Sequence, residues 1–144
     1  MNLHSALNLQ IANWNVLYNK LHRFHWYVKG PLFFTLHEKF EELYEEAAAV
    51  IDKVAERLLA IGGEPIATMK EYINTATLNE TNGEKTANEM VQSLIQDYKQ
   101  VKNDLKQLIK LAEENDDDVT VDLATGLMEK LDTHIWMLTA YLGD

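Results

Sequence analysis

The chain has 144 residues, of which 47% are hydrophobic and 25% are charged, a composition that fits one globular domain spanning residues 1–144. It contains no cysteine, which excludes disulfides, thiolate metal sites and thiol catalysis. The formal net charge of −10 repels the nucleic-acid backbone and attracts cations.

The first helical segment runs from about residue 3 to 28, and Gly30-Pro31 ends it. Its first 19 residues carry no Lys, Arg, Asp or Glu, but their many Asn and other polar residues exclude a membrane span. A signal peptide would need a basic start and a solid apolar run, and both are missing. We therefore expect a cytoplasmic protein with no membrane contact. The residues expected on the core face are Leu3, Leu7, Trp14, Leu17, Leu21, Phe24 and Val28.

The second helix is predicted to begin near Thr35, because Thr35 and Glu38 have the spacing of a capping box. It should end at Gly62-Gly63, with Pro65 just beyond. At about 100° per residue, one apolar stripe falls within roughly 40° of Leu36. That core stripe consists of Leu36, Phe40, Leu43, Ala47, Val50, Val54, Leu58 and Ile61.

Two more long helices follow a connection of about twenty residues, from Gly62 to Gly83, in which residues 67–74 are predicted to form a short helix. Thr86 and Glu89 predict a capping box at the start of the third long helix, and the fourth follows the break at residues 115–118. One long crossover between two helical hairpins is the ferritin-like connection. We therefore predict an all-α, ferritin-like four-helix bundle.

The second helix also has a second apolar stripe, at about 60° to 140° on the same count. It consists of Tyr44, Ala48, Ile51, Ala55 and Leu59. A helix at the edge of a lone bundle needs only one apolar stripe, so this one predicts a further packing partner.

Four polar residues, His37, Glu41, Asp52 and Glu56, lie on that side or at its border, and His25 lies on the first helix. One interpretation makes the carboxylates ordinary solvated helix charges, His37 a surface or capping histidine and His25 a satisfied core residue. The other makes them a mixed nitrogen and oxygen ligand set suited to iron. Spacing alone leaves both interpretations open.

These residues resemble the Dps family of mini-ferritins. The resemblance rests on His25-Trp26-Tyr27-Val28-Lys29-Gly30-Pro31, on residues 33–37, and on Asp52-Lys53-Val54-Ala55-Glu56-Arg57-Leu58. It implies an iron-storage and detoxification protein, a ferroxidase that oxidises Fe²⁺ with hydrogen peroxide in preference to dioxygen and protects against oxidative stress. It further implies a homo-oligomer, a dodecamer, that stores ferric mineral in its hollow shell.

By this resemblance, His25 and His37 of one subunit bind iron together with Asp52 and Glu56 of the two-fold partner. Glu41 stands where the family often has Asp, and the longer Glu side chain can still reach a metal directly or through water. Trp26 is implied as an electron donor, with an interface aromatic as the alternative. DNA-binding members carry a Lys-rich terminus; this chain starts Met-Asn-Leu-His and ends at Gly143-Asp144, so we expect no DNA binding.

Two acidic groups complete the expectations for a ferritin-like shell. An acidic stripe lies on the side of the second helix that is predicted to face solvent, where ferric mineral could nucleate. It consists of Glu38, Glu42, Glu45 and Glu46. Asp117, Asp118 and Asp122 would line cation pores at the three-fold axes, and this acidic run is also expected to cap the fourth helix.

Three other function classes fit less well. A di-iron bundle with inward ligands needs Glu-x-x-His pairs, and none occurs in the sequence. A metal-free interaction bundle would leave His25, His37 and Asp52 unexplained. A DNA-condensing protein is opposed by the net charge.

Overall fold

The computed structural model describes residues 1–144 and contains only helices as regular structure. They are α1 (Leu3–Tyr27), α2 (Phe33–Ala60), α3 (Met69–Thr75), α4 (Ala87–Glu114) and α5 (Asp118–Tyr141). The prediction of a ferritin-like bundle with a short helix in its crossover is confirmed, with α3 beginning two residues later than predicted. No helix is both long enough and apolar enough to cross a membrane.

The bundle consists of two closely packed helical hairpins, α1 with α2 and α4 with α5. α1 also packs against α4 and against α3, whereas α2 and α5 are not among the closely packed pairs. All predicted core residues of the first helical segment are buried. The predicted core stripe of α2 is buried too, except Ile61, which is half-buried against the core. The 3.6-residue period of the apolar side chains therefore predicted which helix faces meet.

The caps explain most of the helix ends. Thr86 accepts from the Glu89 amide at 3.1 Å and Glu89 accepts from the Thr86 amide at 2.9 Å, so the capping box predicted for α4 is confirmed. Asn2 and Ser5 form a second capping box at the start of α1, which was not predicted. Asp117 caps α5, as expected for the acidic run.

The capping box predicted at Thr35 and Glu38 is wrong. α2 begins at Phe33, its N-cap is Leu32, and that cap makes no side-chain hydrogen bond. Gly30 adopts a φ of 110°, and its carbonyl accepts from the Phe33 amide at 3.0 Å, so this turn starts the helix before Thr35 is reached. Thr35 therefore lies inside the first turn rather than at a cap.

The crossover is held to the bundle by the buried amide of Asn13. Its oxygen accepts from the backbone amides of Thr77 at 2.9 Å and Leu78 at 3.2 Å, and its nitrogen donates to Asp104 on α4 at 3.0 Å. Such a satisfied buried network fixes α3 and the following segment beside α1.

Candidate metal centre

Two imidazole rings meet where α1 ends and α2 begins. The rings of His25 and His37 stack with centroids 3.7 Å apart and an interplanar angle of 10°. Phe33 stacks on the outer side of His37 at 4.8 Å, and His25 is buried. The short turn through Gly30 brings the two rings together because it folds α2 back along α1.

Reciprocal hydrogen bonds fix both rings. Nδ1 of His25 donates to the His37 carbonyl at 2.6 Å, and Nδ1 of His37 donates to the His25 carbonyl at 2.7 Å. A carbonyl oxygen can only accept, so each Nδ1 carries a proton, and in the neutral imidazole with this tautomer the lone pair is on Nε2. Histidines that bind metals are held in this way, with one ring nitrogen donating to a fixed acceptor.

Glu41 lies at the same site. Its Oε1 is 3.8 Å from Nε2 of His25, and it follows His37 by about one helical turn. One chain thus places a carboxylate beside the His25 ring of the stacked pair.

Asp52 and Glu56 are exposed on α2, far from both rings. α2 is continuous from Phe33 to Ala60, so Asp52 and Glu56 lie about 22 to 29 Å along it from His37 at 1.5 Å per residue. The chain does not bring them to the two histidines, and no three His, Asp or Glu side chains within it form a metal-binding group. Their participation therefore requires a second chain.

The comparisons with known proteins agree on one family. A ferritin-like domain model matches residues 4–144. The chain is 53% identical over 138 residues to DNA protection during starvation protein 2 of Bacillus anthracis, covering 96% of this chain and 94% of that protein. It is 54% identical over 138 residues to general stress protein 20U of Bacillus subtilis, covering 96% and 95%.

A solved structure gives the same answer. The crystal structure of Dps from Staphylococcus aureus superimposes with a TM-score of 0.95 at 45% identity, covering 97% of this chain and 94% of that one. The chain belongs to the Dps family.

Two aromatic residues extend the centre of this Dps chain and were missed as site residues. The ring of His22 stacks on Tyr44 at 3.8 Å, and Tyr44 lies edge-on to His25 at 5.4 Å. Burial raises the pKa of Tyr44, and the charges of Glu41 and Glu45 add to this effect. His22 precedes His25 by three residues, which places both on one side of α1, and that spacing was the available signal.

Trp26 is 68% exposed and contacts His22, with ring centroids 5.3 Å apart. It therefore borders the aromatic cluster beside the two stacked histidines, His25 and His37. Its exposure also leaves it free to contact a second chain.

The proposed nucleation residues divide into two groups. Glu38, Glu42 and Glu45 are exposed, and Glu42 pairs with Lys39 at 3.2 Å. Glu46 is half-buried and its carboxylate contacts His134 on α5. The carboxylates of Glu42 and Glu46 are therefore already engaged by Lys39 and His134, whereas Glu38 and Glu45 are exposed.

The proposed pore residues divide in the same way. Asp118 and Asp122 are exposed. Asp117 accepts from the Thr120 amide at 3.0 Å and from Arg57 at 2.7 Å. Partial burial would raise the pKa of Asp117, but the bonds from Thr120 and Arg57 outweigh it and hold that pKa below its usual value. Asp117 is thus a structural carboxylate, which leaves Asp118 and Asp122 as the free pair.

Proposed function

We propose that this Dps protein oxidises Fe²⁺ with hydrogen peroxide at centres shared by two chains and stores the ferric product inside a closed homo-oligomeric shell. One observation carries the proposal. Two imidazoles present their free Nε2 atoms at one end of α2, while the carboxylates that would complete an iron site lie about 22 to 29 Å away on the same helix.

Two copies of α2 running antiparallel across a two-fold axis would join these ends. Asp52 and Glu56 of one chain would then face His25 and His37 of the other, with Glu41 beside them. The second apolar stripe of α2 supports this arrangement, since its Leu59 is 59% exposed in the single chain and its Ala48 is also exposed. Burial of that stripe against its symmetry copy would exclude water around the metal.

The ligand set suits the chemistry. Neutral imidazoles and ionised carboxylates bind Fe²⁺, and the negative carboxylates favour the more highly charged Fe³⁺. Each of two Fe²⁺ ions gives up one electron, and one hydrogen peroxide takes both electrons and two protons to yield two waters. Because both electrons pass in one event, no hydroxyl radical is released.

Trp26 provides a second source of electrons. If only one Fe²⁺ is bound, hydrogen peroxide still needs two electrons, and the indole of Trp26 can supply the missing one as it becomes a radical cation. The neighbouring rings of His22 and Tyr44 place it in an aromatic cluster that reaches His25.

Storage follows oxidation. Ferric ions would nucleate on Glu38, Glu42 and Glu45, and the shell would be a dodecamer, as the family resemblance implies. The B. anthracis relative is named for DNA protection during starvation. Because a net charge of −10 opposes direct DNA binding, we propose that protection here comes from removing Fe²⁺ and peroxide.

Mixed shells test the shared centre. His37→Ala and Asp52→Ala should each abolish rapid peroxide-driven Fe²⁺ oxidation, because each removes one side of every site. Shells reassembled from both variants should regain activity at sites that pair an intact His37 with an intact Asp52. The Fe³⁺ absorbance after anaerobic loading and peroxide addition measures this recovery.

The control mixes His37→Ala with His25→Ala, which damages the same side of the site in both chains and so restores nothing. If mass spectrometry confirms mixed assembly and the His37→Ala and Asp52→Ala pair also restores nothing, the ligands do not meet across an interface.

A further inference from the structure

A basic pocket lies between the end of α1 and the start of α4. It has a volume of about 300 Å³ and is lined by Arg23, Tyr27, Lys29, Glu84, Lys85 and Met90. None of these residues is among the proposed iron ligands. Three of the six are cationic and one is anionic, so the lining is positive although the formal net charge of the chain is −10.

Arg23 supplies a guanidinium without a carboxylate partner. The sequence contains one other arginine, Arg57, which pairs with Asp117 at 2.7 Å. The guanidinium of Arg23 instead lies over the ring of Tyr27, 4.8 Å from its centroid, and Arg23 is half-buried. Stacking on an aromatic face fixes the plane of a guanidinium and leaves the N–H groups at its edge free to donate. Because a partly desolvated charge without a partner is costly, an anion in the pocket would stabilise this side chain.

The two lysines of the pocket are also free of ion pairs. Lys29 and Lys85 are exposed, whereas the lysines that pair with a carboxylate lie elsewhere in the chain. Those paired lysines are Lys20, Lys39 and Lys102. The pocket thus brings together three basic side chains whose charges are not neutralised within the chain.

The carboxylates nearest the pocket are engaged by other groups. Glu84 accepts from the Thr81 hydroxyl at 2.7 Å and from the Asn82 amide at 3.2 Å. Glu89, just inside α4, accepts from the Thr86 amide at 2.9 Å as part of the capping box. Neither carboxylate forms an ion pair with a basic side chain of the pocket. Three cationic residues and Glu84 therefore leave the lining with two net positive charges.

A phosphate group matches this lining in charge and in hydrogen bonding. A phosphoryl group carries about 1.5 to 2 negative charges at pH 7, close to the charge that the lining can balance. Arginine donates to two phosphate oxygens at once, and lysine attracts the group as a point charge. The start of α4 follows Lys85 closely and adds the positive end of a helix dipole.

We propose that Arg23, Lys29 and Lys85 form an anion site that binds one small phosphate per chain. The ligand is a free phosphate rather than DNA, because the pocket is small and the net charge of −10 repels an extended polyanion. The site uses no iron ligand and requires no metal. It therefore stands independently of the proposed function.

Equilibrium dialysis with radiolabelled inorganic phosphate tests the site in the assembled, metal-free protein. About 0.1 M sodium chloride screens the general field of the molecule beyond about 10 Å, so that only short-range contacts remain effective. We expect saturable binding of one phosphate per chain. Arg23→Gln should weaken this binding at least tenfold, because it removes a charge-assisted, bidentate contact.

Lys85→Gln provides a second variant that should not disturb folding, since Lys85 is exposed, and it should weaken phosphate binding several-fold. Lys106→Gln is the matched control, because it removes the same charge from an exposed position of α4 outside the pocket. Its phosphate binding should equal that of the unmodified protein. Equal weakening by Lys106→Gln, or no saturable binding by the unmodified protein, would overturn the proposal.

A short DNA duplex separates the two sources of phosphate. In a fluorescence anisotropy titration at the same salt, we expect no binding of the duplex to the unmodified protein. Duplex binding that Arg23→Gln abolishes would show that the pocket contacts a nucleic-acid backbone, and the assignment to free phosphate would then be wrong.

Discussion

Lys20 and Asp97 form an ion pair between α1 and α4 with almost no access to water. The two charged atoms are 2.6 Å apart, the Lys20 side chain is 2% exposed, and its Nζ also donates to Ser93 at 3.3 Å. Burial raises the pKa of Asp97 even though Lys20 lowers it. Desolvation of the carboxylate thus outweighs the attraction, and the pair stabilises the fold less than its short distance suggests.

Removing one partner should be far more damaging than removing both. We expect Lys20→Met to lower the free energy of unfolding by about 3 to 5 kcal/mol, because Asp97 would remain buried without a counter-charge. Lys20→Met with Asp97→Leu should recover most of this loss. Chemical denaturation at matched protein concentration measures both variants, since assembly contributes to apparent stability. A double variant no more stable than Lys20→Met would contradict this account.

At the scale of single residues, the sequence predicted positions better than contacts. The periodic pattern and the family resemblance placed His25 and His37 at one site, and the structure brings their rings together. The reciprocal bonds between each ring and the other residue's carbonyl depend on the conformation of the intervening turn, which no spacing rule describes. The part played by Asp52 and Glu56 stays a prediction, because it needs a second chain.

At the scale of helices, Arg57, Asp117 and Thr120 join the last turn of α2 to the first turn of α5. Arg57 Nε donates to the Thr120 hydroxyl at 3.0 Å, and its terminal nitrogen donates to Asp117 at 2.7 Å. The same Asp117 carboxylate caps α5 through the Thr120 amide. One carboxylate therefore fixes both a helix start and a contact between helices.

Asp117→Ala should lower the free energy of unfolding by about 2 kcal/mol at neutral pH, because it removes a cap worth about 1 kcal/mol and leaves the terminal nitrogen of Arg57 without its carboxylate acceptor. Asp117→Asn should lose less, since Asn also caps helices. Denaturant unfolding measures both variants against the unmodified protein. Equal stability of all three would mean that the link contributes nothing.

The pH dependence of this loss follows from the direction of the pKa shift. The folded pKa of Asp117 lies below its usual value, so the charged form stabilises the fold above the unfolded pKa, about 3.9. That stabilisation disappears as the pH falls through the lower, folded pKa. The stability difference between the unmodified protein and Asp117→Asn should therefore shrink below about pH 4.

Helix existence and core faces were predictable because apolar periodicity acts over many turns, as the buried run of α4 from Val91 to Ala112 illustrates. Helix ends depend on single local contacts and were less predictable. The Thr35 prediction was wrong because the Gly30 turn starts α2 earlier. Glu46 and His134 are 88 positions apart, and their contact arises from the packing of two hairpins rather than from any local pattern.

At the scale of the whole molecule, the second apolar stripe of α2 is the surface on which the proposed assembly depends. Ile51→Glu would place a charge in the middle of that stripe, and we expect it to release smaller species, which sedimentation velocity would detect. Ala49→Glu is the matched control, because Ala49 is exposed and lies about 160° away around the same helix. An unmodified protein that sediments as a stable monomer would contradict the shared centre as well.

The exposed carboxylates at the start of α5 should govern how fast iron reaches the inside of the shell. Asp118 and Asp122 lie about one turn apart on one helix and neither is engaged in a hydrogen bond or ion pair within the chain, unlike Asp117. Copies of this pair around a three-fold axis would form a ring of negative charge that attracts Fe²⁺. The pair would thus act on transport and leave oxidation itself unchanged.

Asp118→Asn with Asp122→Asn should therefore slow Fe²⁺ uptake into intact shells at low salt, measured by stopped-flow absorbance. The difference from the unmodified protein should shrink as ionic strength rises, because such attraction is screened over about 10 Å at 0.1 M salt. Glu113→Gln with Glu114→Gln removes the same charge from the end of α4 and separates a pore effect from a general loss of negative charge. Equal slowing by both pairs would indicate a general field effect, and unchanged uptake at low salt would place the iron route elsewhere.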